Sequence, residues 1–136
     1  MTGGGSFFLN GMRITHGFEL HCNPAIGPNN LEINWNGGYK FHLTTLRKAT
    51  CWDTGISPGR PNAPFDQLYG SGTGTYNGVA GATIDFQFTD HGEPGRNDSV
   101  SYLTITDASG AVVLNLSGTG GPYMLDSGNH QAHAQN

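Results

Sequence analysis

Six histidines stand in a chain that carries only six Lys and Arg and ten Asp and Glu, and two of them form the pair His130-x-x-His133. In one turn of helix those rings would share a face and chelate Zn²⁺ or Cu²⁺, with His21 and His42 as further ligands, because neutral imidazole nitrogen is a donor such ions accept. In an extended chain the two rings point apart, and a mobile tail over residues 128–136 is the competing reading. A second set is Asp90, Glu93, Asn97 and Asp98, oxygen donors within one short turn. Ca²⁺ takes oxygens from such loops, although the spacing is not that of an EF-hand, and a solvated hairpin loop explains the same residues. Trp52, Phe65 and Tyr69 make a third set. Exposed, they would offer an aromatic platform to sugar or peptide; buried, they would pin a loop to the body.

The patterns that carry catalysis lack their setting or are missing. Gly55-Ile56-Ser57-Pro58-Gly59 has the Gly-x-Ser-x-Gly spacing but falls in a proline-rich stretch read as loop, without the strand-to-helix turn of a nucleophile elbow. There is no His-Glu-x-x-His and no Gly-x-x-x-x-Gly-Lys. Gly70-Ser71-Gly72-Thr73-Gly74 lacks the strand-to-helix setting of a dinucleotide loop and reads as a loop leading into a strand. A non-catalytic protein is expected. A formal charge of −4 opposes a surface that tracks phosphates, so nucleic acid is not an expected partner. No apolar run approaches the ~18 residues that span a bilayer as a helix.

The elements that must position these residues are strands. Ala82, Ile84, Phe86 and Phe88 alternate with polar residues, and residues 99–106 and 111–116 continue the pattern, predicting an antiparallel meander. Residues 13–22 alternate as well, with Ile14, His16, Phe18, Leu20 and Cys22 on the core face and Arg13, Thr15, Glu19 and His21 on the other. His16 is thereby predicted to be a hydrogen-bonded core histidine, while His21 and His42 fall outside. Residues 6–9 form a short apolar strand behind a flexible glycine lead over residues 1–5. Asn10-Gly11, Asn36-Gly37 and Asn77-Gly78 are turn signals. Residues 53–74, with three prolines and little alternation, read as one long ordered loop.

Glycine reaches 22 residues and charged residues only 12 %, about half of the roughly 25 % of ordinary globular proteins. That composition suits many strands and tight turns in one all-β domain over residues 1–136. Cys22 and Cys51 each end a predicted strand, so a disulfide is expected, contributing about 3.5 kcal/mol by restricting the unfolded chain. A disulfide would place the chain outside the reducing cytosol, whereas the competing reading is two buried free thiols in a cytosolic protein.

Several segments together resemble a known family: Thr15-His16-Gly17-Phe18-Glu19-Leu20-His21-Cys22, Gly27-Pro28-Asn29-Asn30-Leu31-Glu32-Ile33-Asn34-Trp35, Phe41-His42-Leu43, Tyr76-Asn77-Gly78, Thr89-Asp90-His91-Gly92-Glu93-Pro94-Gly95 and Gly128-Asn129-His130-Gln131-Ala132-His133. They are similar to the β-sandwich domains that follow choice-of-anchor domains in large extracellular bacterial proteins. The resemblance implies a secreted, immunoglobulin-like accessory domain and supplies no catalytic residues. Three functions are therefore expected to compete: an accessory or adhesion module that binds a glycan or protein, a subunit of an extracellular filament or surface layer that pairs through edge strands such as residues 6–9, and a His-based metal-binding protein.

Overall fold

The computed structural model describes residues 1–54, 65–91, 98–116 and 122–133. The described residues form ten strands: β1 (Thr2–Leu9), β2 (Met12–Glu19), β3 (Asn30–Trp35), β4 (Tyr39–Trp52), β5 (Gln67–Tyr76), β6 (Val79–Thr89), β7 (Ser99–Thr106), β8 (Val112–Asn115), β9 (Tyr123–Met124) and β10 (Ser127–Gln131). All strand pairings are antiparallel, as the alternation predicts. Cys22 and Cys51 are bridged, with Cα atoms 5.6 Å apart. The bridge ties the connection after β2 to the end of β4 that extends beyond β3.

The strands lie in sequence order from β1 to β8 in a single sheet, and β10 sits on the free side of β1. β9 pairs with the start of β7. Between β9 and β10, Leu125 N–H donates to Asp98 O at 3.0 Å and Asp126 N–H donates to Ser6 O at 2.9 Å, so this stretch bonds β7 and β1 at once. The sheet therefore closes on itself as an up-and-down barrel. This order differs from an immunoglobulin-like sandwich, whose strands are divided between two sheets by Greek-key connections. Alternation along a strand assigns one face to the core but leaves the strand order open, and that is why the pattern led to the all-β class and no further.

Inward side chains fill the barrel. Phe7, Ile14, Leu31, Ile33, Phe41, Leu68, Phe86, Phe88 and Leu103 are fully buried. Asn-Gly turns hold one rim: Asn10 and Gly11 have φ of 49° and 82°, and Asn77 and Gly78 have 49° and 83°. Positive φ at both central residues is the hairpin geometry whose twist matches the strands, and Asn with Gly tolerates it best.

Three expectations are corrected here. Residues 67–74 are not loop but most of β5, in which Leu68, Gly70, Gly72 and Gly74 are the buried positions. A Cβ on Gly70 would lie 2.5 Å from Phe86 Cζ, so glycine here is the small half of a packed pair. The glycine lead is not flexible either, since Thr2 to Ser6 pair on both sides, with β2 and with β10. Nor are residues 128–131 of the expected tail free of the body, because Ser127–Gln131 is β10, while residues 134–136 lie outside the described residues. Gly128 has φ of 98°, and a Cβ there would meet Gly4 O at 2.1 Å, which lets β1 and β10 approach closely.

Candidate functional site

The outer face of β2, β3 and β4 carries a shallow groove of about 400 Å³ lined by Arg13, Thr15, Asn34, Trp35, Gly37, Gly38, Tyr39 and Lys40. Its floor is a register row: Thr15 opposes Asn34, which opposes Lys40. Arg13 lies two residues along β2 on the same face, and its Nη2 donates to Ser6 Oγ at 3.0 Å. Ser6 Oγ in turn donates to Asp126 Oδ1 at 2.7 Å, so a hydroxyl from β1 orients the guanidinium. Lys40 Nζ stands 3.8 Å from Glu32 Oε1, and His42 Nδ1 is 3.5 Å from Glu32 Oε2.

Tyr39 closes one end of the groove, and its ring is braced. Trp35, Tyr39 and Tyr76 stack with centroid separations of 6.0, 5.8 and 6.3 Å, capping the barrel at the Asn-Gly rim. Trp35 is 6 % exposed and Tyr39 39 %, so the stack presents one rigid edge to solvent. The lining thus combines two cations, an amide, a hydroxyl and a phenol ring. Such a set can bind a carboxylate or sulfate with its cations, hydroxyl groups with Asn34 and Thr15, and an apolar sugar face with the ring.

Comparison with protein-family models, with characterised proteins and with solved structures finds no match. The site's own chemistry therefore carries the functional reading.

The predicted metal ligands are dispersed. His130 was expected outside the core and is instead fully buried, on the inner face of β10. Its Nε2 lies 2.7 Å from Nε2 of His16, which is buried as expected. His133 Nε2 contacts Thr2 Oγ1 at 2.8 Å, while His21 Nδ1 donates to Asn29 Oδ1 at 3.1 Å. His42 belongs to the Glu32 cluster on the outer face. Among the described residues, no three of His, Cys, Asp and Glu are grouped to hold a metal ion. The x-x spacing failed as a guide because residues 130 and 133 fall on opposite faces of an extended chain.

The oxygen donors have other tasks. Asp98 Oδ1 accepts from His91 N–H at 2.6 Å and Oδ2 from His130 N–H at 2.7 Å, while Asp90 Oδ2 accepts from Ala132 N–H at 2.8 Å. Both carboxylates are buried and clamp the last strand to the β6–β7 connection. Glu93 and Asn97 lie outside the described residues. Of the aromatic set, Phe65 is buried at 3 % exposure and anchors the chain before β5, whereas Trp52 is 36 % exposed. Tyr69 points outward and donates its hydroxyl to Asp85 Oδ1 at 3.2 Å. Trp52, opposite Gln67, and Tyr69, opposite Thr50, lie on the same outer face of β4 and β5, whereas Phe65 lies inside and is not part of that surface.

Alternation along the sequence places Arg13, Thr15 and Lys40 outside, and this signal pointed toward the groove. It could not show that β2, β3 and β4 are adjacent, nor that their registers align Thr15, Asn34 and Lys40.

Proposed function

We propose that this protein is a non-catalytic extracellular module of accessory or adhesion type, of bacterial origin, that binds an acidic glycan in the groove across β2, β3 and β4. The observation that carries this reading is the row Thr15, Asn34 and Lys40 with Arg13 beside it and the braced Tyr39 at its end. Two exposed cations and one ring yield modest affinity per site, since exposed ion pairs contribute only about 0.2–1 kcal/mol each. Weak single sites suit a surface module that engages a repeating polymer through many copies. The disulfide and the resemblance to secreted bacterial domains support the location.

The test is binding of the whole protein to an immobilised uronic-acid polymer and to a neutral glucan. Saturable binding to the acidic polymer is expected, weakened by salt and reduced roughly two- to thirtyfold in an Arg13→Ala, Lys40→Ala variant with an unchanged melting curve. Equal binding by variant and parent, or preference for the neutral polymer, would refute the reading.

A second reading rests on a different observation. Among the described residues, positions 7–9 of β1 pair only with β2, and the Phe8 side chain between them is 50 % exposed. An edge of that kind can accept a strand from a second copy, as a filament or surface-layer subunit would require. Light scattering that shows concentration-dependent assembly, abolished by Phe8→Lys, would favour it.

A further inference from the structure

The His16–His130 pair has a proton count that constrains what it can do. His16 Nδ1 faces Gly5 O at 3.1 Å and His130 Nδ1 faces Thr89 O at 2.9 Å. A carbonyl oxygen only accepts, so each Nδ1 must carry a hydrogen to make its bond. The two Nε2 atoms face each other at 2.7 Å, a contact that one shared proton satisfies. The three contacts together need three ring protons. Two neutral imidazoles supply two, and one of the contacts then lacks its hydrogen. Two imidazolium rings carry four, and two Nε2–H groups would meet head on. The folded pair can therefore hold two or three protons, never four.

The surroundings sharpen this limit. Phe18, Phe88 and Phe7 pack around the rings, with Phe88 centroids 5.5 Å from His16 and 5.3 Å from His130. The pair forms because Gly3 and Gly5 of β1, which lies between β2 and β10, have no side chains to separate the rings. Charged groups around the pair are few. Asp98 holds the His130 N–H, Asp90 lies near His130 and holds the next inward residue, and the Met1 ammonium donates to Leu20 O at 2.8 Å, with Glu19 and Asp90 near it. β3 faces the pair with Leu31 and Ile33 alone. Both Asp carboxylates hold backbone N–H groups of β10 or the residue after it, and protonation would weaken those bonds as well.

We propose that the seam between β1 and β10 is an acid-released latch: it stays closed while His16 and His130 share at most one proton beyond their neutral state, and it opens when both rings become cationic. β10 is the element freed, because it is the closing strand and His130 is its inward residue. The remaining strands keep their meander pairing and the Cys22–Cys51 bridge. Opening exposes the outer edge of β1, so acid would convert a closed barrel into one with a pairing edge.

Hydrogen–deuterium exchange of the full chain from pH 7.5 to pH 4.5, corrected for the intrinsic pH dependence of exchange, tests this. Amides of β10 should lose protection at least about tenfold per pH unit below pH ~6, ahead of β5 and β6, since each proton taken up only by the open form contributes that factor. In a His16→Gln, His130→Gln variant the selective loss should vanish. Parallel loss across all strands, or an unchanged profile in the variant, would overturn the proposal. If the variant does not fold, ¹⁵N spectra of the wild-type imidazoles decide. Both rings should become fully cationic only where β10 protection is lost, and two cationic rings under a protected β10 would refute the latch.

Discussion

Asp98→Ala should be among the most damaging single substitutions outside the apolar core. The Asp98 side chain has no solvent exposure, and its two oxygens accept backbone N–H groups from His91 and His130 at 2.6 and 2.7 Å. Hydrogen bonds to a charged acceptor contribute about 1.5–3 kcal/mol each, and a buried N–H left without an acceptor incurs its full desolvation cost. Two such losses amount to about 3–6 kcal/mol, against a total stability of roughly 5–15 kcal/mol for a single domain. Asp98→Asn should lose somewhat less, because one oxygen remains while the amide nitrogen opposes an N–H donor. Urea unfolding at pH 7 measures both, with the slope of the transition unchanged. A loss below about 0.5 kcal/mol for Asp98→Ala would refute the clamp, being no more than an ordinary surface substitution. Titration with Ca²⁺ separates the clamp from the ligand role that its position suggests. If Asp98 acts only through the backbone, millimolar Ca²⁺ leaves the wild-type midpoint unchanged, whereas an ion bound to the folded form alone would raise it.

Replacing Cys22 and Cys51 by Ser should lower stability by about 3.5 kcal/mol and make the melting curve insensitive to reductant, which differential scanning calorimetry would show. Gly70→Ala places a Cβ 2.5 Å from Phe86 Cζ and should cost about 1–3 kcal/mol, while Gly17→Ala, which meets nothing within 4 Å, should be neutral or stabilising in the same assay. Burial pushes His16 down to about 3, aided by the neighbouring His130, and burial likewise pushes His130 down to about 4. Both lie below the ordinary histidine value near 6.5, so the unfolded chain takes up protons that the folded chain refuses. Stability is then complete above pH ~6.5 and falls as pH drops toward 4, by about 2 kcal/mol per histidine at pH 5. Urea midpoints that stay constant from pH 7 to pH 5 would contradict that assignment.

Much of the strand content was legible because alternation is a local property. Ile84, Phe86 and Phe88 must share a face whatever lies beside them, and Asn10-Gly11 and Asn77-Gly78 turn the chain through their own backbone preferences. His16 was placed inside by the same parity. The strand that alternation missed, β5, obeys the same period, but its inward residues include Gly70, Gly72 and Gly74, which carry no hydrophobic signal. Their meaning lies in Phe86 on the neighbouring strand, and a scale that scores residues singly cannot see it. The glycines of β1 and β10 misled for the same reason, since a residue chosen for close approach resembles one chosen for flexibility.

The chain's local chemistry by itself determined an antiparallel all-β protein with a disulfide, polar outward rows and an apolar interior. Tertiary structure alone decided which rows lie side by side, and so it decided the site. Thr15, Asn34 and Lys40 are far apart in sequence and meet only through the registers of β2, β3 and β4. His16 and His130 are separated by 114 positions and meet because β10 closes onto β1. Pairing across strands is a long-range choice among many registers of similar local quality, and the packing of the whole barrel selects one. The same closure moved His130 away from any surface cluster and turned Asp90 and Asp98 from apparent cation ligands into acceptors for the backbone of the final strand.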